Sequence, residues 1–228
     1  MYNERHMEKL ILYDYALSGN CHKVRLLLSM LDLDYLSIPV NLGAREQKSP
    51  WFLKLNPRGQ VPVLVDKGEA RWDSSAILVY LARRYDEGGG WFPDDLEKQI
   101  GVLQWMALAQ NEILYGLARA RAAHRFNRSV DMKDCIGLGQ VALGALERRL
   151  DTVDWLADGA PTLADIACYP YVALAHEGEI SLKPYPAVTA WLERFERLPG
   201  WRPMEGVEGW RRVEATEGLA DGRHTGEG

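Results

Sequence analysis

The chain has 228 residues, 47% of them hydrophobic and 26% charged, with a formal net charge of −5. This is an ordinary composition for a water-soluble globular protein, and the length allows one large domain or two small ones. No basic run stands out, which argues against nucleic acid as a partner, and the apolar runs are too short and too interrupted by charge to span a bilayer.

The first ten residues, MYNERHMEKL, carry no apolar core and read as no signal peptide, so the cytoplasm is the expected location. Lys9 to Tyr15 is apolar and aromatic and predicts a strand. Leu17 to Asn20 is a turn. Val24, Leu27, Leu28 and Leu31 then fall on one face of a helix. Tyr35 to Val40 reads as a second strand, and the polar stretch Asn41 to Ser49 leads to a short helical turn at Trp51 to Leu55. Val61–Asp66 and Glu69–Trp72, joined by Lys67-Gly68, predict a hairpin, and Ser75 to Tyr85 a helix. The order is β-α-β followed by β-β-α, an α/β thioredoxin-like plan for residues 1–86.

Asp86 to Pro93, with three consecutive glycines, reads as a linker. Beyond it an all-α domain is expected over residues 94–212. Asp94 to Arg121 predicts one long helix, and Val130 to Leu150 another with Leu138, Val141, Ala142, Ala145 and Leu146 facing inward. Thr162 and Asp165 have capping-box spacing. The helix after them contains Pro170, which is expected to kink it. Pro186 to Leu198 predicts a last helix, and residues 213–228 a polar, glycine-rich, disordered tail. Cys21, Cys135 and Cys168 suggest neither a disulfide framework nor a zinc site, and the five histidines show no metal spacing.

One stretch carries more chemistry than the rest. Asn56-Pro57-Arg58-Gly59-Gln60-Val61-Pro62-Val63-Leu64 is followed by Asp73-Ser74 at the start of a helix. Proline cannot donate to a sheet ladder, so Pro62 belongs at a strand start or edge, and a tight bend there suits a cis X-Pro bond. Such a bend would expose the main chain of Val61 to an extended, peptide-like ligand. The helix N-terminus at Asp73-Ser74 favours a carboxylate. A main-chain edge beside an anion site fits a small charged peptide.

The spacing NPRGQVPVL and DSSAI resembles the glutathione-binding signature of the cytosolic glutathione S-transferase superfamily. SGNCHKVRLLLSML and TLADIACYPY extend the resemblance over roughly Lys9 to Trp201. It implies a thioredoxin-like N-terminal domain, an all-α C-terminal domain, a homodimer, and glutathione as co-substrate with a small hydrophobic electrophile, as in detoxification. On this resemblance Asp73 and Ser74 hold the γ-glutamyl end, although both residues could simply cap their helix. Val61 pairs with the cysteinyl unit, Gln60 reaches the γ-glutamyl carboxylate, and Gln47 and Lys48 meet the glycine carboxylate. Ser18, at the start of the first helix, is the expected partner of the thiol. Cys21 has the spacing of a redox pair with serine in the first place, which opens a disulfide chemistry; it also suits a small buried helix residue. Tyr15, Leu17, Trp105, Asn111, Tyr115 and Arg119 are candidates for the electrophile pocket. A reductase or peroxidase, and a non-catalytic interaction module, are the competing readings.

Overall fold

The computed structural model describes residues 9–207. The expected tail at 213–228, the last residues of the expected helical domain and the N-terminal residues read for a signal peptide, up to residue 8, lie outside the described residues.

Strand β1 (Leu10–Asp14) alternates buried and half-buried side chains, as a period-2 strand with one deeply packed face should. Helix α1 (Gly19–Met30) crosses over to β2 (Tyr35–Pro39), which pairs parallel with β1. A 3₁₀ turn (Glu46–Lys48) and the short α2 (Pro50–Leu55) lead to β3 (Val63–Asp66) and β4 (Glu69–Trp72). Both turn residues between these two strands have positive φ, Lys67 at 52° and Gly68 at 76°, which matches the twist of a tight hairpin. Helix α3 (Ser74–Tyr85) closes this half. The strand order is β2-β1-β3-β4, with β3 antiparallel to both neighbours. This is the thioredoxin-like plan read from the sequence. The third strand is shorter than expected, because Val61 and Pro62 lie in the bend before it.

The second half is helical: α4 (Leu96–Gln110), α5 (Arg119–Phe126), α6 (Met132–Leu150), α7 (Leu163–Ala173) and α8 (Pro186–Phe195). The single helix expected over 94–121 is broken. After α4 the chain makes a π-helical segment, Ile113–Ala118, before α5 resumes. That segment seats Gly116 on the backbone of Gly139 in α6; a Cβ at Gly116 would lie 2.4 Å from the Gly139 nitrogen. The same contact corrects the predicted face of α6. Gly139 must face inward, so Cys135, Ala142, Leu143, Leu146 and Leu150 are buried with it. Leu138 and Val141 turn to solvent, 38% and 57% exposed.

Every residue of α7 is buried, and the helix runs on through Pro170. Its capping box forms: the Thr162 N–H donates to Asp165 Oδ2 (2.9 Å) and the Ala164 N–H to Thr162 Oγ1 (3.3 Å). The Asp165 carboxylate also accepts from the Leu156 N–H (3.1 Å) and the Trp191 indole (3.0 Å). Helix α7 packs against both α1 and α4, so one core joins the two halves.

Candidate functional site

The sheet register gathers the site. Tyr13, near the end of β1, lies opposite Val63 at the start of β3, and Val63 lies opposite Trp72 at the end of β4. The segments that leave these three points carry Ser18, Val61 and Asp73-Ser74, so all converge at one end of the sheet.

The middle segment is a braced bend. The Val61–Pro62 bond is cis. Buried Asn56 clamps the turn before it, accepting from the Arg58 N–H (2.9 Å) and donating Nδ2 to the Gln60 carbonyl (2.7 Å). Gly59 has φ 56°, and a Cβ there would meet the Gln47 carbonyl at 2.6 Å and Lys48 Nζ at 2.8 Å. Only glycine allows both that backbone and that approach. The close packing brings Gln47 and Lys48 against the Arg58-Gly59 turn that precedes Gln60. Lys48 donates to the Arg58 carbonyl (2.8 Å), and Gln47 Oε1 is buried with no hydrogen-bond partner among the described residues. Gln60 is exposed and Val61 half-buried. The Val61 main chain takes no part in the sheet ladder.

Asp73 has φ 71° and ψ 124°, an unusual backbone for a side chain with a Cβ. Three partners hold it there. Oδ1 accepts from the Ser75 N–H and from Gln110 Nε2 of α4 (both 3.0 Å), and Oδ2 pairs with Arg58 (2.9 Å). The helix-capping reading of Asp73 is thus realised in this geometry, with an ion pair added. Ser74 is the first residue of α3 and is buried.

Ser18 caps α1, its Oγ accepting from the Cys21 N–H at 3.3 Å. Cys21 is fully buried, and burial first, then the Asp14 charge, push its thiol far above the ordinary range. A thiol so held is neutral and out of reach of a disulfide, which removes Cys21 from the exposed, low-pKa environments where redox cysteines work. The packing role of Cys21 is the one this geometry fits.

Several polar residues around the site escaped the sequence reading. Arg121 of α5 donates to the Leu17 carbonyl (2.8 Å), next to Ser18, and is anchored by Glu177. Tyr171 of α7 presses its ring on Gly19. Gln110 reaches Asp73. These partners come from helices far along the chain, and no local pattern marks them. Arg58 lies inside the NPRGQ motif and was legible as a cation, though its ion pair was not. Among the pocket candidates, Tyr115 and Arg119 are exposed and face each other, with the guanidinium 5.8 Å from the ring centroid. Asn111 donates back to Ala107 of its own helix (2.9 Å). Trp105 and Tyr15 are half-buried, and Tyr15 packs 6.2 Å from Phe126. A cavity of about 680 Å³ lies elsewhere, between α1, β2 and residues 202–205, and includes none of the eight candidate site residues. Among the described residues no helix is long and apolar enough to cross a membrane, and no cluster could hold a metal ion.

A thioredoxin-like half with a braced cis-proline bend, joined to a helical half, defines a class of fold. The family models for the N-terminal and C-terminal domains of glutathione S-transferase match residues 12–89 and 126–199. The chain belongs to the glutathione S-transferase family. The disulfide-bond oxidoreductase YfcG of Escherichia coli (strain K12) is 30% identical over 198 residues, covering 81% of this chain and 89% of that protein. A possible glutathione S-transferase from Rhodopseudomonas palustris is 35% identical with a TM-score of 0.80, covering 87% of this chain and 99% of the other. A glutathione transferase homolog from Drosophila mojavensis, solved with bound glutathione, is 29% identical with a TM-score of 0.76, covering 84% and 89%.

Proposed function

We propose that the protein is a glutathione transferase that activates the glutathione thiolate for attack on a small hydrophobic electrophile. The observation that carries this reading is the register Tyr13–Val63–Trp72, which delivers Ser18, Val61 and Ser74 to one end of the sheet. The free main chain of Val61 would pair with the cysteinyl unit of the tripeptide as an added strand. The α3 N-terminus and the Ser74 hydroxyl would take the γ-glutamyl carboxylate, with Gln60 beside it. Asp73, already capping α3, would face the γ-glutamyl ammonium. Gln47 and Lys48 would meet the glycine carboxylate. The sulfur would then lie at the α1 N-terminus, where Ser18 donates its hydroxyl.

The pKa effect sets a bound on what Ser18 supplies. Lowering a thiol pKa from ~8.5 to ~6.5 raises the thiolate fraction at neutral pH roughly 25-fold. A Brønsted slope of about 0.4–0.5 returns about 8-fold of that. Only ~3-fold remains, so most of the acceleration must come from holding the electrophile against the sulfur.

Ser74→Ala tests the placement. A carboxylate that loses one charge-assisted hydrogen bond, worth about 1.5–3 kcal/mol, should bind roughly 10- to 100-fold more weakly. Titration calorimetry with glutathione reads this directly, and an unchanged affinity refutes the placement. A reductase is the second reading, favoured by the similarity to YfcG. In that case the bound glutathione thiol, not Cys21, would cycle. Cys21→Ser should therefore leave turnover of hydroxyethyl disulfide intact; its loss would restore Cys21 as a redox centre.

The homodimer is proposed with a specific face. Leu96, Ile100 and Leu103 form an apolar stripe along α4, 65%, 44% and 45% exposed. A second copy of the chain would cover it, and sedimentation velocity of Ile100→Asp would read the loss. A cytoplasmic location is proposed on the same footing as the transferase reading.

A further inference from the structure

The cavity of about 680 Å³ between α1, β2 and residues 202–205 shares no residue with the site built around Ser18, Val61 and Ser74. Part of its wall is a braced polar cluster. Asp14 is 6% exposed and accepts from Arg25 at 2.6 Å and from the Ser37 hydroxyl at 3.4 Å. Arg25 also donates to the Ala16 carbonyl (2.9 Å), so this acid and this base are held together and neutralise each other. The same wall includes His22, 3% exposed, whose Nδ1 has no hydrogen-bond partner among the described residues. Burial lowers its pKa to about 3, so the imidazole is uncharged at neutral pH. A neutral imidazole carries one donor and one acceptor nitrogen, and leaving a buried one unpaired is costly. The remaining wall decides the charge of a ligand. Asp32, Asp34 and Glu205 are exposed on it and have no ion pair among the described residues, against one further cation, Arg202. Three free carboxylates facing one guanidinium leave two negative charges uncompensated. Leu33 and Tyr35, both half-buried, add an apolar strip. Among the described residues no cluster of His, Cys, Asp and Glu could hold a metal ion, so the matching cation is an organic one.

We propose that this cavity is a second ligand site, separate from the proposed glutathione site, for a small organic cation that carries ammonium groups on a methylene chain, a linear diamine or polyamine. Its ammonium groups face Asp32, Asp34 and Glu205, one N–H donates to the acceptor nitrogen of His22, and the methylenes lie on Leu33 and Tyr35. An ammonium brings three donors and no acceptor, which suits a wall rich in carboxylate oxygens. An anion would meet repulsion there, and a neutral polyol would leave the wall charges uncompensated. Binding is reversible and no covalent bond changes. The proposal stands apart from the transferase reading, since no residue is common to the two sites.

The test is titration calorimetry of the full chain at low salt with 1,4-diaminobutane and with spermidine, each with and without saturating glutathione. Both amines should bind, and glutathione should leave their affinity unchanged. 1,4-Butanediol, of the same length but uncharged, should give no saturable heat. His22→Leu keeps the bulk and removes the acceptor; it should weaken diamine binding roughly 10- to 100-fold, the factor for one hydrogen bond to a charged group. Asp34→Asn combined with Glu205→Gln removes two exposed charges and should weaken it about 2- to 30-fold. Absence of binding by both amines at millimolar concentration overturns the proposal, as does equal binding of the diol. Displacement of the amine by glutathione overturns it too, because the amine would then occupy the other site. Affinity unmoved by either variant means adhesion of a cation to an acidic surface, and again the proposal falls. Binding of magnesium ion in place of the amines, lost in the same variants, would reassign the cavity to a metal. If His22→Leu does not fold, the carboxylate double variant decides, and an unchanged diamine affinity in it refutes the assignment.

Discussion

Three glycines on two packed segments give a graded test of the helical half. Gly116 in the π-helical segment meets the α6 backbone: an added Cβ would lie 2.4 Å from Gly139 N, 2.8 Å from its Cα and 2.9 Å from the Leu138 carbonyl carbon. Backbone cannot rotate aside, so Gly116→Ala must push the two segments apart. Overpacking of this kind costs about 1–3 kcal/mol, and the gain in helix propensity returns ~1 kcal/mol at most. A net loss of about 1–2 kcal/mol lowers the melting temperature by roughly 2–8 °C in a chain of this size. Gly139→Ala meets only side-chain ends, Leu117 Cδ2 at 2.9 Å and Ile180 Cδ1 at 3.2 Å, which can turn away. Its loss should be smaller. Gly137→Ala, on the same helix, meets nothing within 4 Å. It should gain up to ~1 kcal/mol and melt roughly 2–4 °C higher. Thermal denaturation followed by circular dichroism at fixed protein concentration reads all three. Equal shifts for Gly116→Ala and Gly137→Ala, or a Gly116→Ala protein as stable as wild type, would refute the packing argument.

Two further outcomes concern buried titratable groups. His22 is buried with Nδ1 unpartnered among the described residues, and burial first, then the Arg25 charge, lower its pKa to about 3. The unfolded chain takes up this proton near pH ~6.5, so stability falls as pH drops below that value, by about 2 kcal/mol at pH 5 from this residue alone. His22→Gln should therefore flatten the fall in melting temperature between pH 7 and pH 5; parallel slopes would rule His22 out as its source. Asp165→Ala strips the acceptor from the buried Leu156, Thr162 and Trp191 N–H groups. Each such orphan costs about 1–3 kcal/mol. Relief of the burial that raises this carboxyl to about 6 offsets only part of that. The melting temperature should drop by more than about 5 °C, and an unchanged melt would show that the capping network carries no net stability.

Local pattern was enough for much of the molecule. The alternation in β1, the Lys67-Gly68 turn, the proline-marked bend at Pro62 and the Thr162–Asp165 cap are each written in residues close in sequence. Near-neighbour sterics and hydrogen bonding decide such features, so a reader of the chain alone can find them. The motif from Asn56 to Leu64 with Asp73-Ser74 was enough to point to the family. The resemblance it carries implied Ser18, Gln47, Lys48, Gln60, Val61, Asp73 and Ser74 as a ligand set.

Other features belong to pairs of segments that meet only on folding. The face that α6 buries was misread because apolar count favoured Leu138 and Val141. The decisive contact is between two glycines, Gly116 and Gly139, which hydrophobic periodicity does not weigh. The break after Gln110 follows from that same approach. Cys21 looked available from its spacing, and only the packing around α1 closes it off from water. Gln110, Arg121 and Tyr171 act on Asp73, Leu17 and Gly19 from distant parts of the chain. Sequence spacing along one segment therefore determined which groups were offered for chemistry. The close approach of the helical half to α1 decided which of them are buried, held or left facing a ligand.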